Sequence, residues 1–475
     1  MPSTNVYIQW GVMATSDMPR RGATAVVVCA VILAVAAHAQ QVRAFRGTIA
    51  TPSGFLDDAT LVVEKNGTIR SVGKNATLSP GTTVIDVGGV IFPGLIDLHD
   101  HLTWNIFPRW RLPRPVGNRY DWQALPEYAA QLSGPEYALI AKNLGCEMER
   151  YAEVKAMIGG ATSVIGSFSP DAAVPPRNEC DAGLARNLDF ASGLYTASVN
   201  AEPVRYNVFP LELPDADNQT VLKELDAKTI KAYIVHLAEG ADASAAREFK
   251  VFKARGLLRA GVVIIHGVAL GEPEFSEMTG KGIGFIWSPR SNFELYGKTA
   301  DVRAVKKAGL ALAIAPDWSP TGSFGSLSEL QFAYHWNLQQ APPPLTNDEL
   351  MAMVTSAPAT LAGADDKIGS LAPNKLADFI VLRKSSSSPT TAVLDAPSGS
   401  VRLVVIGGRP LLGDPELMKQ LAPPGKLEIV TSCGREIALA ITDDTKGESW
   451  STISQKLTLA LQQYKIELAP LEECH

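Results

Sequence analysis

Near-continuous apolar runs alternate with helical patterns along the middle of the chain, from about residue 93 to residue 365. Strands that are apolar along their whole length are typical of a parallel sheet buried on both faces. Helical patterns, such as those over residues 135–158 and 243–254, lie between several of these runs. The alternation predicts an α/β fold, and about 270 residues suit a TIM-like (β/α)8 barrel.

Seven runs predict strands of this barrel, and an eighth, expected between Gly183 and Lys231, cannot be placed from the sequence. The seven are "GLIDLHDH", "ATSVIGSF", "GLYTASVN", "KAYIVHLAEG", "VVIIHGVAL", "GIGFIWSP" and "LALAIAPDWS".

Segments rich in β-structure flank the predicted barrel on both sides. Residues 42–92 contain alternating runs with Asn66-Gly67 between two of them, which is a hairpin signal. Near the other end, "GSLAPNKLADFIVLR" and "VRLVVIGGRPLLG" also predict strands. We therefore expect a β-sandwich formed by residues 42–92 and 366–475, the latter including a C-terminal extension, around a barrel of residues 93–365.

The first 39 residues have the pattern of a signal peptide. A basic segment, "MPRRG", precedes the apolar residues 23–37, and Ala37-His38-Ala39 forms a small-x-small cleavage site. The apolar run, at about 15 residues, is short for a membrane span, although an uncleaved anchor is the alternative. We expect an exported protein, periplasmic or secreted.

Export would place the remaining cysteines in an oxidising compartment. Removal of Cys29 with the signal leaves an even number, Cys146, Cys180, Cys433 and Cys474. Three pairings can be drawn, and proximity in sequence favours Cys146–Cys180 and Cys433–Cys474. No two cysteines have metal-ligand spacing, which argues against a cysteine-based zinc site.

The charge and the motifs narrow the class of partner. The 475 residues have a formal net charge of −6 and no run rich in lysine and arginine, which argues against nucleic-acid binding. Neither a phosphate-binding glycine loop nor a dinucleotide fingerprint is present. We expect a small-molecule substrate and no membrane contact after signal cleavage. The sequence leaves open whether the protein forms a homo-oligomer.

Polar side chains close several of the apolar strands. Because the carboxyl ends of barrel strands meet at one mouth, these side chains are expected to lie together. His99 and His101 share a face of their strand, while Asp100 points away. Two adjacent imidazoles repel when both are protonated, and a divalent cation removes this problem because ligand histidines are neutral. The strand-end residues are His99, His101, His236, Glu239, His266 and Asp317.

Five of these motifs together resemble the metal-dependent amidohydrolase superfamily. They are "PGLIDLHDHL", "HLAEG", "IIHG", "SPRSN" and "APDWS", in this order, and "KIGSLAPNKLADFIVL" resembles the segment that returns to the β-domain. The resemblance covers about residues 42–415. It is greatest for the aminohydrolases and chlorohydrolases of cyclic amidines and triazines, which carry His-x-x-Glu after the fifth strand.

The resemblance implies a role for each strand-end residue. One metal ion, usually zinc and sometimes iron, would be bound by His99, His101, His236 and Asp317. Asp317 would also accept a proton from the metal-activated water. Glu239 would shuttle protons to the substrate nitrogen, and His266 would polarise the substrate or hold the attacking water.

A second metal ion is the alternative, because other branches of the superfamily bridge two ions with a carboxylated lysine. Lys231 is available just before "AYIVHLAEG". It lies five positions before His236, on the opposite face of an ideal strand, and Glu239 already supplies a proton shuttle. The sequence therefore favours a single metal ion.

Residues after the strand-end motifs are candidates for substrate binding. A tryptophan can stack on a planar ring, and an arginine can bind a carboxylate. The alternative is a rim that aromatic side chains simply pack. The candidates are Trp104, Asn105, Arg109, Arg290, Asn292 and Trp318.

The predicted function is the metal-dependent hydrolysis of a non-peptide carbon–nitrogen bond, with deamination of a cyclic amidine favoured by "HLAEG". The alternative is hydrolysis of a linear amide, such as an N-acyl amino acid, which export favours. A non-enzymatic binding protein on the same scaffold would lack a ligand residue, and none is missing.

Overall fold

The computed structural model describes residues 42–166, 184–189, 194–195, 202–385, 388–423, 425–445 and 447–474. The predicted signal peptide, Cys180 and most of the predicted strand "GLYTASVN" lie outside these residues. In the described part of the chain, no helix combines the length and the apolar character needed to cross a bilayer.

Seventeen strands are present in the described residues. They are β1 (Arg43–Thr51), β2 (Gly54–Val63), β3 (Ile69–Gly73), β4 (Thr83–Pro93), β5 (Leu95–Ile96), β6 (Ala161–Val164), β7 (Arg186–Asn187), β8 (Val204–Asn207), β9 (Ala232–Leu237), β10 (Val262–His266), β11 (Gly284–Trp287), β12 (Leu312–Ile314), β13 (Phe379–Arg383), β14 (Val401–Ile406), β15 (Arg409–Gly413), β16 (Glu428–Ser432) and β17 (Arg435–Leu439).

The α-helices are α1 (Arg119–Gln123), α2 (Pro126–Tyr128), α3 (Gly134–Ala141), α4 (Gly145–Ile158), α5 (Asp215–Asp226), α6 (Ala243–Ala254), α7 (Glu272–Thr279), α8 (Pro289–Tyr296), α9 (Val302–Ala308), α10 (Ser326–Leu338), α11 (Asn347–Ala352), α12 (Ser356–Leu361), α13 (Pro389–Leu394), α14 (Pro415–Leu421) and α15 (Trp450–Gln462). A 3₁₀ helix spans Leu102–Ile106, and a π-helical turn spans Ala129–Ser133.

Both ends of the chain contribute to one nine-stranded sheet. Its order is β16-β17-β15-β14-β13-β4-β1-β2-β3. The two ends join where β4 pairs antiparallel with β13, with Ile91 opposite Val381. Phe45 and Phe379 pack edge to face beside this junction, with their ring centroids 4.9 Å apart. The predicted hairpin at Asn66-Gly67 connects β2 and β3, which pair antiparallel.

The middle of the chain forms parallel sheets, as predicted. One contains five strands in the order β12-β11-β10-β9-β8, and the other contains three in the order β5-β6-β7. Every residue of β9, β10, β11 and β12 is buried, because helices and the second sheet cover their faces. In the described residues the two sheets are separate and do not form a closed barrel.

The helical pattern over residues 135–158 corresponds to two helices, α3 and α4, rather than one. The break lies at Asn143, which has a left-handed φ of 61° that cannot continue a right-handed helix. The pattern over Ala243–Ala254 is a single helix, α6, as predicted. It begins after Asp242, whose side chain accepts hydrogen bonds from the backbone N–H groups of Ser244 and Ala245.

One of the two predicted disulfides lies within the described residues. Cys433 and Cys474 are bonded, which confirms that pairing. Cys146 is also disulfide-bonded, and its predicted partner, Cys180, lies outside the described residues.

Candidate metal centre

The four predicted metal ligands converge at the carboxyl ends of the parallel strands. His99 Nε2 lies 3.2 Å and His101 Nε2 lies 3.4 Å from the same oxygen, Asp317 Oδ1. His236 Nε2 lies 3.0 Å from His99 Nε2. A second triad of ring nitrogens, from His99, His236 and His266, also lies within 4.8 Å. Side chains from four separate strand ends therefore share one centre.

These separations suit a divalent cation of the zinc type. Metal–ligand bonds of about 2.0–2.1 Å in tetrahedral geometry place neighbouring ligand atoms about 3.3 Å apart. The three distances among His99, His101, His236 and Asp317 lie between 3.0 and 3.4 Å. Two unprotonated imidazole nitrogens at this distance repel each other unless a proton or a cation lies between them.

The protonation states also match those of metal ligands. Burial lowers the pKa of His99, and it lowers the pKa of His236 well below the usual range. Burial alone would raise the pKa of Asp317, but the adjacent His99 and hydrogen bonds from His101 and His99 hold it well below its ordinary value. Neutral imidazoles and an ionised carboxylate are the forms that bind metal.

Helix α8 and its N-cap residue orient four side chains of the site. Positions 288, 291, 292 and 296 have the spacing of one helix face, and all four residues are buried. We call residues 288–296 the orienting helix. Its contacts are Ser288 Oγ with His99 Nδ1 at 2.7 Å, Ser291 Oγ with Asp317 Oδ2 at 2.5 Å, Asn292 Oδ1 with His266 Nδ1 at 2.9 Å, and Tyr296 OH with Glu239 Oε1 at 2.6 Å.

These contacts fix which atoms face the metal centre. Hydrogen bonding at Nδ1 leaves Nε2 of His99 free to act as a ligand atom. Asn292 donates through Nδ2 to Thr299 Oγ1, so its Oδ1 accepts a hydrogen bond from His266 Nδ1. Burial lowers the pKa of His266 to about 3. His266 is therefore neutral, with a lone pair on Nε2.

Glu239 is buried beside the metal ligands. Trp122 Nε1 donates to Tyr296 OH at 2.8 Å, and an indole N–H can only donate. The single hydroxyl hydrogen of Tyr296 therefore goes to Glu239 Oε1. Glu239 Oε2 lies 3.9 Å from His266 Nε2. Burial raises the pKa of Glu239 to about 7, which suits a group that gains and loses a proton near neutral pH.

Left-handed backbone conformations mark the same strand ends. Ala238 follows β9 with a φ of 53°, His266 ends β10 with a φ of 68°, and Asp317 follows β12 with a φ of 72°. Residues other than glycine rarely adopt such angles, and they concentrate at functional sites where surrounding contacts hold them. The chain thus turns sharply at each of these three strand ends, where the site residues lie.

The centre opens into a cavity of about 1230 Å³. Trp104 and Trp318 line it, as predicted for substrate-facing residues, and their rings meet edge to face at 5.5 Å. Trp104 also stacks on Tyr128 with centroids 5.9 Å apart, and Trp122 packs 5.7 Å from Trp318. His101, His236, Glu239, His266 and Asp317 lie on the same cavity wall.

The other predicted substrate-binding residues do not line this cavity. Asn105 is buried, donating to Asp100 Oδ1 at 2.6 Å and accepting from Ser319 N at 2.7 Å. Asn292 lies behind His266 on the orienting helix. Backbone and side-chain partners within the protein occupy both amides, and the structure brings neither of them to the cavity.

Arg109 and Arg290 also lie away from the cavity, contrary to the expectation. Arg290 makes a two-pronged contact with Glu473, at 2.6 and 2.9 Å, and Arg109 reaches the same carboxylate at 3.0 Å. The carboxylate that these arginines bind belongs to the protein's own C-terminal segment. Nothing near either arginine in the sequence indicates this partner.

Sequence reasoning missed three residues of the site. Tyr296 bonds Glu239, Tyr206 OH lies 3.5 Å from His101 Nε2, and Glu136 lines the cavity. Burial raises the pKa of Glu136 to about 7, although Thr103 donates a hydrogen bond to it. Only Tyr296 had a signal, the helical spacing that begins in "SPRSNFELY".

Lys231, the alternative ligand for a second metal ion, and one further histidine, His335, lie outside the site. Lys231 precedes β9, at the opposite end of that strand from His236, and its side chain packs near Gly363. His335 lies on α10 and contacts Asp395 Oδ1 through Nε2 at 2.9 Å.

Known proteins that are similar to this chain include several deaminases. The chain is 25% identical over 406 residues to a 5-methylthioadenosine/S-adenosylhomocysteine deaminase of Syntrophobacter fumaroxidans, covering 77% of this chain and 91% of that protein. It is 24% identical over 413 residues to a 5'-deoxyadenosine deaminase of Methanothermobacter thermautotrophicus, covering 77% of this chain and 92% of that protein.

Among solved structures, a zinc-bound adenosine deaminase from Xanthomonas campestris has a similar fold, with a TM-score of 0.66 and 17% identity over 89% of this chain and 98% of that one. The model of the amidohydrolase family matches residues 214–411, which include His236, Glu239, His266 and Asp317. Residues 214–411 therefore contain an amidohydrolase family domain, and the similarity to deaminases indicates a hydrolase that acts on carbon–nitrogen bonds.

Proposed function

We propose that this protein is a zinc-dependent deaminase of a cyclic amidine, such as the amino-bearing ring of an adenine-type compound. His99, His101, His236 and Asp317 would hold one metal ion. The observation that carries the proposal is the buried Glu239, with a pKa raised to about 7, which lines the same cavity as His101, His236 and Asp317. The similarity to deaminases of adenosine derivatives supports the choice of substrate class.

Bound zinc would supply Lewis acidity and bring the pKa of a coordinated water towards neutrality. The chain's own residues handle the protons. Asp317 is ionised, and Ser291 donates to its Oδ2, so Oδ1 faces the imidazoles and can accept a proton. Neutral His266 presents a lone pair on Nε2, which accepts a hydrogen bond from the attacking water. Of the two roles open to His266, this geometry supports holding the water.

Glu239 completes the proton transfer. Its Oε1 is occupied as an acceptor by Tyr296, so a proton on Glu239 resides on Oε2, the oxygen nearer His266. Donation from Oε2 to a ring nitrogen makes the adjacent carbon more electrophilic. The proton that Asp317 takes from the attacking water would then pass to the leaving amino group, and the hydroxyl proton of the adduct would return to Glu239 as the carbonyl forms and ammonia leaves. The aromatic side chains of Trp104 and Trp318 offer flat surfaces for a planar ring.

The parallel strands are proposed to belong to a closed (β/α)8 barrel. An isolated parallel bridge between Asp100 and Asp317 links the two sheets, and Asp317 N donates to His99 O at 2.9 Å. The similarity of fold to the zinc-bound adenosine deaminase supports the same closure. The two sheets together contain eight parallel strands, β5 to β12, which is the number that such a barrel needs.

Export to an oxidising compartment remains a proposal, and the disulfide between Cys433 and Cys474 supports it. N-terminal sequencing of the protein recovered from a periplasmic or culture fraction tests it. A mature chain that begins at Gln40 is expected, and full-length protein confined to the cytoplasm would contradict the proposal.

Metal analysis followed by an ammonia-release screen tests the function. We expect one zinc ion per chain, with iron as the alternative result, and ammonia release from aminopurine nucleosides. The screen includes N-acyl amino acids, which would release a carboxylate instead. Arg109 and Arg290 do not line the cavity, and Arg205, which does, is paired with Glu224 at 3.2 Å, which argues against that substrate. Metal-loaded protein that released neither product would contradict the proposal.

Glu239→Gln is the sharpest single variant. It keeps the shape of the side chain but cannot carry the proton, so kcat should fall about 10²–10⁴-fold with the metal content unchanged. Glu136→Gln is the matched control, because Glu136 is also buried in the cavity wall with a pKa raised to about 7. Its effect should appear mainly in KM. A Glu239→Gln enzyme with near wild-type kcat would remove Glu239 from the chemistry.

A further inference from the structure

We propose that Glu473, on the C-terminal segment, is a positioning residue for the metal centre and acts through Arg290 and the orienting helix. The inference rests on the proposed metal site and adds to it a residue from outside the residues matched by the family. Glu473 touches none of the proposed ligands, so its effect would be indirect.

Hydrogen bonds and a disulfide attach the segment after α15 to the rest of the protein. Ala469 N donates to Ile106 O at 2.9 Å, and Tyr151 OH donates to Ala469 O at 2.5 Å. The disulfide from Cys474 to Cys433 attaches the next part of this segment to the turn between β16 and β17. Glu473 is therefore held in place from both sides.

Glu473 joins two cations that would otherwise repel each other. Its carboxylate receives two hydrogen bonds from Arg290, at 2.6 and 2.9 Å, and one from Arg109 at 3.0 Å. All three side chains are only 17–23% exposed. Burial would raise the pKa of Glu473, but Arg290 and Arg109 lower it below its ordinary value. Neutralising this carboxylate leaves two close guanidinium groups without their shared counter-charge.

Arg290 connects this ion triad to the metal centre. It lies in the first turn of α8, directly before Ser291 and Asn292. Those two residues bond Asp317 at 2.5 Å and His266 at 2.9 Å, so a shift of the first turn would move both site residues. Arg109 makes a second connection, because its neighbour Trp110 donates through N to Pro320 O at 2.8 Å, close to Asp317.

Glu472 provides a matched control on the same segment. Its carboxylate accepts a hydrogen bond from Gly399 N at 2.7 Å and contacts Arg435 Nη2 at 3.4 Å. Glu472 therefore also lies beside the disulfide, in a partly buried ion pair, but it does not contact the orienting helix. A general loosening of the C-terminal segment should affect both positions, whereas positioning through Arg290 should affect only Glu473.

The test uses full-length protein in which Co²⁺ replaces the native metal, since the absorption bands of Co²⁺ report ligand geometry. We expect Glu473→Gln to change these bands and to weaken Co²⁺ affinity about tenfold. A loss of this size is typical when a residue that helps to orient the metal ligands is removed. Glu472→Gln should leave bands and affinity unchanged. Glu473→Asp, which keeps the charge, should restore the wild-type spectrum at least in part and serves if Glu473→Gln does not fold.

The outcomes separate this inference from the proposed function. Wild-type protein that bound no Co²⁺ would overturn the proposed metal site itself. Wild-type binding with an unchanged spectrum and affinity in Glu473→Gln would overturn only the role of Glu473. Equal changes in Glu473→Gln and Glu472→Gln would also overturn it, because they would show a general effect of the C-terminal segment.

Discussion

The histidine cluster and the arginine pair are two groups of basic side chains in the same half of the fold, and they differ in what balances them. The ring nitrogens of His99 and His236 face each other at 3.0 Å, and burial lowers the pKa of both. Arg109 and Arg290 instead share the carboxylate of Glu473. The first group could hold a cation, whereas the second has its counter-charge within the chain.

This difference separates two kinds of basic side chain, those that are neutral when buried and those that stay charged. Buried neutral bases that converge on one point make a receptor for a metal ion. Permanently charged side chains that are partly buried need a fixed counter-ion, and here the protein supplies it. The substrate is therefore expected to meet imidazole, carboxylate and aromatic groups rather than Arg109 or Arg290.

The largest expected effect comes from Asp317→Asn, which removes the one ionised ligand from the histidine cluster. Metal should be lost on dialysis and activity should fall by at least about 10³-fold, because neutral ligands alone hold the ion weakly. Elemental analysis and kcat measured in parallel check this. Asp395→Asn, at the exposed contact with His335, is the control. An Asp317→Asn protein that kept its metal would break the comparison.

Tyr296→Phe should give an intermediate effect that appears in the pH profile. The hydrogen bond from Tyr296 lowers the pKa of Glu239, whose burial raises it to about 7. Removing the hydroxyl should raise that pKa by about one unit. If protonated Glu239 is the active form, activity falls as pH rises through this pKa, so the alkaline limb should move to higher pH.

The pH dependence of kcat, measured for wild type and Tyr296→Phe, checks the direction. Tyr233→Phe is a useful control, because Tyr233 is also buried and hydrogen-bonded but contacts Asn218 and Asn207. An alkaline limb that moved to lower pH in Tyr296→Phe would contradict the proposed proton position.

The smallest expected effect is that of Arg109→Gln on substrate affinity. Arg109 contacts Glu473 and lies over the ring of Phe324, outside the cavity, so KM should stay within about twofold of wild type. Steady-state kinetics with the best substrate from the ammonia screen measures it. A large rise in KM with unchanged kcat would show that Arg109 reaches the substrate, and it would remove the distinction between the two groups.

Much of the site followed from local pattern. His99, His101, His236, His266 and Asp317 each lie at or just after an apolar strand, and parallel strands place such positions on one edge of a sheet. The period-two alternation of side chains along a strand is a local property of the backbone. The same argument predicted the parallel sheets and the contribution of both chain ends to a β-domain.

The loop residues could not be placed in this way. The side chains of Asn105, Arg109 and Arg290 could bind a substrate or another part of the protein equally well. The sequence pattern does not distinguish these two possibilities. Their partners, Ser319 and Glu473, are up to 364 positions away. Such pairings depend on how the C-terminal segment and the loops pack.

The sequence by itself determined the α/β class, the strand-end polar residues and the resemblance to amidohydrolases, because these depend on short-range periodicity and on the chemistry of individual side chains. Only the tertiary structure decided that one helix face bonds His99, His266, Asp317 and Glu239, and that Glu473 occupies the arginines. The physical reason is that a hydrogen bond or ion pair needs atoms within about 3 Å. Over hundreds of residues, packing alone sets that distance.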